Sequence, residues 1–452
     1  MVLVVACLVL AALSLLLPWA LAFDPWVWVT WGRDVTRLEL NTAGGGAWKP
    51  LPVLATTPLA LTGSAAPALW LVVARAGGLL ALAGAACLTY RLVAGRVSSA
   101  SAGTIAAVAA VAAIALSTWW LFNTALGNSE GLLVAAALWA VAAQLAGRWR
   151  VALALGVVAA LLRPEMWPFL GIYALWLWRT RRASLGTLAL ALAPVPLLWF
   201  GPGLLGTGGV FDASDAARGT ASPQSATYAD VPALEVLADF ADLLTIPALV
   251  VATAGAALGG RSARLLAAAA LGWVAVVAVM TQAGYAGNPR YNVAAAAVGC
   301  VLAGVGVAAV ARRPAAWILA AGLVAGVLAF TAGALSDQLA ELGDRADRRT
   351  QLDALVQRAG GADAVTRCAP VRTVQPMKAM VAWRLDLSME HLADPPRAPA
   401  AVLRAPPGYA GEPAEPRVGD GFAPVATAGD WSLVAACAGG RRLIPSTART
   451  RP

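Results

Sequence analysis

The sequence lacks most of what a soluble enzyme is built from. Only 13% of its 452 residues are charged while 60% are hydrophobic. An ordinary globular domain has roughly 25% charged and 45–50% apolar residues, so a soluble enzyme is excluded. There is one histidine, His391, too few for the usual His-based metal sites or triads. No Gly-x-x-x-x-Gly-Lys-Ser/Thr run occurs, which removes the P-loop ATPases. Of 33 basic residues only Lys49 and Lys378 are lysines. No soluble-repeat period, low-complexity linker or inverted repeat is evident.

What is present is long uncharged stretches. Runs able to cross a hydrocarbon core of about 30 Å lie at roughly 2–22, 66–90, 102–122, 130–147, 150–164, 166–178, 184–201, 241–259, 264–282, 291–311 and 315–335. The expected fold is therefore an all-α polytopic membrane protein of about eleven transmembrane helices, carrying a small α/β C-terminal domain. Residues 1–335 form the transmembrane part, with two outer loops at 23–65 and 202–240. Residues 336–452 form the second domain, beginning with a charged helical stretch at 337–358 and long enough for a core of its own.

The net charge of +9 would suggest nucleic acid in a soluble protein. Here most arginines punctuate the ends of apolar runs, among them Arg91, Arg96, Arg148, Arg179, Arg261 and Arg312. By the positive-inside rule these ends are cytoplasmic, the N-terminus is inside and the C-terminus outside, and no nucleic-acid partner is implied. The protein is expected in the plasma membrane with its loops and second domain extracytoplasmic. Ala20-Leu21-Ala22 resembles a signal-peptidase site, but without a basic n-region and with a run long enough to span, the first segment is expected to be retained. Cys7, Cys87 and Cys300 fall in spans; Cys368 and Cys437 share the outer, oxidising compartment and are expected to pair.

Chemistry concentrates at one membrane face. Directly after the first span comes Phe23-Asp24-Pro25-Trp26-Val27-Trp28-Val29-Thr30-Trp31-Gly32-Arg33-Asp34, where Asp24 is either a helix N-cap or a carboxylate whose pKa burial tunes for proton abstraction. The tryptophans read as interfacial anchors or, for Trp28 and Trp48, as substrate-contacting faces. The loop continues through Thr42-Ala-Gly-Gly-Gly-Ala-Trp48-Lys49-Pro50, a backbone that lets a ligand approach beside a cation; Lys49 is a phosphate contact or a snorkelling interfacial lysine. Asn128-Ser129-Glu130, Arg163-Pro164-Glu165 and Asn288-Pro289-Arg290-Tyr291-Asn292 open later spans on the same side. Each is a cap or interfacial charge taken singly; together they gather acids and cations at one face, the mark of an intramembrane functional site. Arg218 adds a cation in the second loop, beside the runs Asp212-Ala-Ser-Asp215 and Ser222-Pro-Gln-Ser. Arg75, within the second span, needs a partner.

An acid just after the first span, an Arg-Pro-Glu element mid-chain, an Arg-Tyr element late, and an outer C-terminal domain together resemble the GT-C superfamily of membrane glycosyltransferases. These use polyprenyl-phosphate sugars and include the arabinofuranosyl- and mannosyltransferases of actinobacterial cell-wall biogenesis. The resemblance covers the layout of nearly the whole chain through short motifs. It implies that Asp24 is the catalytic base, with Asp34 where some members carry a second acid. The sequence departs from an Asp-Glu or Asp-Asp pair, because Pro25 follows Asp24. Stabilising the leaving phosphate falls to Lys49, Arg163, Arg218 or Arg290, and Trp28, Trp48, Glu130, Glu165 and Tyr291 are expected to contact substrate. Asp24, Asp34 and Glu130 could also hold a divalent cation (Mg, Mn or Ca) through oxygen ligands. The expected reaction is inverting transfer from a polyprenyl-phosphate sugar to a glycan, lipid or protein acceptor of the cell envelope. The rival readings are a transporter or flippase of a lipid-linked sugar and a non-catalytic envelope-assembly partner.

Overall fold

The computed structural model describes all residues except 43, 47, 95–99, 207–208, 212–213, 216–217, 219–224, 311–312, 393–397, 406–417, 419–420 and 438–452. Of the residues singled out above, Ala43, Ala47, Arg96, Asp212, Ala213, Ser222, Pro223, Gln224 and Arg312 lie outside the described set.

The chain is a mostly helical multi-pass membrane protein with a small mixed sheet near its C-terminus. Five described helices are long and apolar enough to cross a membrane: Gly63–Ala94, Leu185–Gly206, Gly260–Gln282, Pro289–Val310 and Ala315–Arg358. Two bent pairs raise the number to seven, Ser101–Ala115 with Thr118–Ala125 at 67° and Pro232–Leu244 with Ile246–Leu258 at 93°. This is fewer than the expected eleven, because punctuation inside the apolar runs stops several helices early. The first ends at Leu16, where Leu17 turns extended ahead of Pro18, as residues before proline do. Glu130–Leu145 and Trp149–Ala160 are also short apolar helices, separated by Gly147 at φ +72°, a conformation that favours glycine.

Broken helices leave backbone carbonyls without partners, and in a low-dielectric interior each must be satisfied. Tryptophan indoles do much of this. Trp70 donates to the Gly127 carbonyl at 2.9 Å, Trp119 to Leu243 at 3.1 Å, and Trp273 to Tyr291 at 2.8 Å. The Ala160 carbonyl, at the end of its helix, receives both Trp167 and Trp199. Trp26, Trp28, Trp31, Trp48 and Trp70 are all buried, so the interfacial-anchor reading of the first-loop tryptophans is corrected: they are core residues with a polar handle. Arg75 serves the same end. Its guanidinium donates to the Ala125 carbonyl at 2.8 Å and to the Ser14 hydroxyl at 2.7 Å, joining two helix termini.

The expected boundary at 335/336 falls inside one continuous helix, Arg313–Arg358. Beyond it, strands β1 (Val371–Arg372), β2 (Ala400–Arg404), β3 (Ala423–Ala428) and β4 (Trp431–Ala436) form a sheet of order β1-β2-β4-β3. The β1-β2 pair is parallel and the others antiparallel. Cys368 and Cys437 are disulfide-bonded across this unit, with Cα atoms 4.9 Å apart. The sheet unit does not have a core to itself. Its buried Val371, Val381, Leu403 and Trp431 belong to one continuous apolar cluster with Trp28, Trp31, Val53 and Trp70. The first loop supplies two helices to that cluster, Phe23–Thr36 and Pro50–Ala60, and is thereby pressed between the membrane helices and the C-terminal unit.

Candidate functional site

Asp24 is the second residue of the helix Phe23–Thr36, whose N-cap is Ala22. Its side chain makes no cap; Oδ2 accepts from Arg290 Nη2 at 2.6 Å and lies 3.9 Å from Lys49 Nζ. Arg290 reaches it from the short 3-10 turn Pro289–Asn292, where Asn288 fixes the backbone by accepting from the Arg290 amide at 3.2 Å. Lys49 is held by Pro50, which starts the next helix, and its ammonium sits 5.0 Å from the centre of the Trp28 ring and 3.5 Å from Ser129 Oγ.

Ser129 precedes Glu130, the first residue of Glu130–Leu145. Glu130 Oε1 accepts from Arg163 Nη2 at 2.5 Å, and Glu165 Oε1 lies 3.6 Å from Arg163 Nη1. The Arg163 guanidinium stacks 4.3 Å from the Tyr291 ring. Residues from distant parts of the chain thus meet in one cluster: Asp24, Lys49, Glu130, Arg163, Glu165, Arg290 and Tyr291. Its carboxylates and cations balance, which is the condition for keeping such charges buried. Glu130 Oε2, Glu165 Oε2, Asn128 Oδ1, Arg163 Nε and Arg290 Nε are buried without a protein partner, polar capacity of the kind that binding sites hold ready.

Two ionisations are displaced. Burial pushes the Asp24 carboxyl upward, but the adjacent Arg290 and Lys49 charges more than offset it and hold the pKa below the usual carboxylate value. Burial, reinforced by the Arg163 charge, pulls the Lys49 ammonium down to about 8. Asp24 is therefore ionised at neutral pH, while Lys49 titrates just above it.

Asp34 and Arg218 stand apart from this cluster. Asp34 is ten residues further along the same helix, about 15 Å at a rise of about 1.5 Å per residue, where its Oδ1 accepts from Arg33 at 3.0 Å. There burial dominates over Arg33 and raises its pKa. Arg33 also donates to Asp386 at 3.0 Å and to the Leu387 carbonyl at 2.8 Å, so the pair clamps the helix to the C-terminal unit. Arg218 is exposed and stacks 4.9 Å from the Tyr285 ring. Trp48 is buried, its indole given to the Leu198 carbonyl and its ring 5.3 Å from Trp31; it forms a wall. Ser129 reads in the sequence only as part of a helix opening, and no local pattern there ties it to Lys49.

A divalent cation does not suit this donor set. Asp24 and Glu130 are each engaged by guanidinium, Asp34 is far off, and no group of three or more metal-binding side chains occurs among the described residues.

Membrane helices enclosing buried charges at the end of the first helix, with a sheet unit pressed on the first loop, define a recognisable fold class. The chain is similar to two crystal structures of ArnT from Cupriavidus metallidurans. One, bound to undecaprenyl phosphate, superimposes with TM-score 0.62 and 16% identity over 98% of each chain. The other, in the apo state, gives 0.60 and 16% over 97% of this chain and 98% of that one. The fold is thus ArnT-like. No family model and no curated protein matches the sequence.

Proposed function

We propose that the protein is an inverting glycosyltransferase that moves a sugar from a polyprenyl-phosphate donor to a cell-envelope acceptor, as in GT-C enzymes of actinobacterial envelopes. The observation that carries this reading is the buried cluster in which Asp24 faces Lys49 and Arg290, set within an ArnT-like fold. The undecaprenyl phosphate bound by one ArnT structure supports a polyprenyl phosphate as ligand. The active face and the C-terminal unit are extracytoplasmic on the positive-inside argument.

In this mechanism Lys49 and Arg290, the cations beside Asp24, take the donor phosphate. Arg163, locked between Glu130 and Glu165, holds the acids and Tyr291 in place and adds positive field from behind. Glu130 Oε2, Glu165 Oε2 and Asn128 Oδ1 accept from sugar hydroxyls. The acceptor oxygen attacks the anomeric carbon; the new glycosidic C–O bond forms as the bond to phosphate breaks. The acceptor proton passes to Asp24, and the bonding electrons leave with the phosphate, stabilised by the cations. Phosphate binding also prepares the base. Arg290 and Lys49 are what depress the Asp24 pKa, so a phosphate that shares their charge lets burial raise it again. Asp24 then becomes a stronger base only when donor is present.

The test is transfer of labelled sugar from a polyprenyl-phosphate donor by the purified protein, with anomeric analysis of the product. Inverted product supports the reading; absence of turnover with every polyprenyl-phosphate sugar and acceptor offered contradicts it.

A further inference from the structure

The end of the helix bundle opposite the Asp24 cluster carries charge that the proposed chemistry does not use. Three helices run between the two ends: Glu130–Leu145, Trp149–Ala160 and Trp167–Arg179. At or beside one end of them stand Glu130, Arg163 and Glu165; at or beside the other stand Arg148, Arg150, Arg179, Arg181 and Arg182. No acidic residue occurs between Glu130 and Glu165 or between Glu165 and Asp212. The five arginines are exposed, and the ion pairs of the described residues include none of them.

Two of them are set against aromatic rings instead. Arg150 lies 5.2 Å from the centre of the Trp149 ring and Arg182 4.8 Å from that of Trp176. Between these, Tyr173 stacks on Trp176 at 5.7 Å, and its hydroxyl donates to Gln144 Oε1 at 2.5 Å and lies 3.4 Å from the Trp149 carbonyl. Trp149, Tyr173 and Trp176 thus form one strip with a guanidinium at each end. The turns after Leu145 and Arg179 close with the same pair of backbone hydrogen bonds, but the place that Gly147 takes in the first is held by Arg181 at φ +56° in the second. Glycine is the usual residue there, so the arginine is kept at a backbone cost. Orientation in the membrane requires basic residues on this side, neither stacked nor in a glycine's place. The three helices have 16, 12 and 13 residues. At a rise of about 1.5 Å per residue they are about 24, 18 and 20 Å long, short of a hydrocarbon core of about 30 Å. A bilayer meets so short a span by thinning, which carries lipid phosphates toward the arginines.

We propose that this corner binds an anionic glycerophospholipid of the leaflet on its own side, the cytoplasmic one by the distribution of arginines. Arg150 and Arg182 take the phosphate oxygens, and Arg148, Arg179 and Arg181 add positive field around them. The aromatic strip lies along the glycerol and upper acyl region. The lipid phosphate is the counter-charge that the chain itself does not provide here. The surface is separate from the donor cluster by the length of three helices, and it stands whether or not the protein is a transferase.

The test measures binding of dioctanoyl phosphatidylglycerol, dioctanoyl phosphatidylcholine, inorganic phosphate and polyglutamate to the full-length protein in detergent. Phosphatidylglycerol is expected to bind at least about tenfold more tightly than phosphatidylcholine or inorganic phosphate. Arg150→Gln/Arg182→Gln should abolish the preference, and Trp176→Leu, which removes the platform of Arg182 without changing charge, should weaken it about two- to fivefold. Arg261→Gln/Arg264→Gln, which removes the same charge from the exposed start of Gly260–Gln282, should leave the preference intact, as should Arg290→Gln at the donor cluster. Equal affinity for the two lipids, an unchanged preference in the Arg150/Arg182 variant, or an equal loss in the Arg261/Arg264 variant would overturn the proposal. Loss in Arg290→Gln alone would also overturn it, by assigning the lipid to the donor cluster, and polyglutamate binding more tightly than phosphatidylglycerol would do so in favour of an acidic protein partner.

Discussion

Asp24 and Asp34 share one helix, one residue type and an arginine partner each, yet the protein treats them in opposite ways. Asp24 meets two cations brought from residues 49 and 290, its pKa is lowered, and its other oxygen faces Gly46. Asp34 meets its own neighbour Arg33 in a closed clamp to the C-terminal unit, and burial raises its pKa. The difference is one of arrangement. At Asp24 two cations converge on one carboxylate and keep it charged, within a cluster whose total charge balances; at Asp34 a single guanidinium is shared between two carboxylates and two carbonyls.

The contrast can be probed at either end. The largest effect is expected at the clamp: Arg33→Ala strands buried Asp34 and leaves Asp386 to Arg37 alone, which should cost roughly 3–5 kcal/mol of stability, read as a fall in thermal midpoint in detergent. Next is Arg290→Gln. It removes the closest cation from Asp24 and from the donor phosphate, and turnover should drop by about 10²–10³-fold in protein that still folds, measured by steady-state transfer.

Lys49 extends the contrast through pH. A lysine whose pKa is depressed to about 8 is charged below that pH and loses its charge above it. Polyprenyl-phosphate affinity should therefore be full below pH 8 and fall as pH rises through it, by up to about tenfold per unit. Lys49→Arg should remove that limb, because arginine stays protonated throughout. The smallest effect belongs to Asp34→Asn, which keeps an oxygen for Arg33: turnover per folded molecule should stay within about threefold, a change of less than about 1 kcal/mol in barrier.

Much of the cluster is legible in the sequence because its residues sit where apolar runs are interrupted. Glu130, Arg163, Glu165, Arg290 and Tyr291 each open or close a helix, and charge at such junctions is expensive enough to need a purpose. Lys49 stands out by rarity. Asp34 misleads because closeness in sequence is not closeness in space, and ten residues of helix separate two side chains by nearly three turns. Arg218 misleads for the opposite reason: a polar loop looks like a binding segment whether or not its cation turns inward. Its stacking on Tyr285 depends on a distant residue that no local pattern connects to it.

The relation of the C-terminal unit to the first loop is the least legible part. Composition alone marks a shift near residue 336, but it cannot show that a helix runs straight through the shift, nor that Val381 and Trp431 share a core with Trp28 and Trp70. Apolar residues carry no address for their partners. The same limit applies to the tryptophans, whose carbonyl acceptors are fixed by where neighbouring helices happen to break.

The role of Asp24 as the base is the point on which the proposed chemistry turns. The most direct measurement is a single-turnover transfer from a polyprenyl-phosphate sugar, run side by side with wild type, Asp24→Asn and Asp34→Asn, with donor binding measured on each. All three are expected to bind donor, wild type and Asp34→Asn to form inverted product at similar rates, and Asp24→Asn to be slower by about 10²–10⁴-fold. Undiminished transfer by folded Asp24→Asn, or loss of transfer in Asp34→Asn alone, would contradict that role.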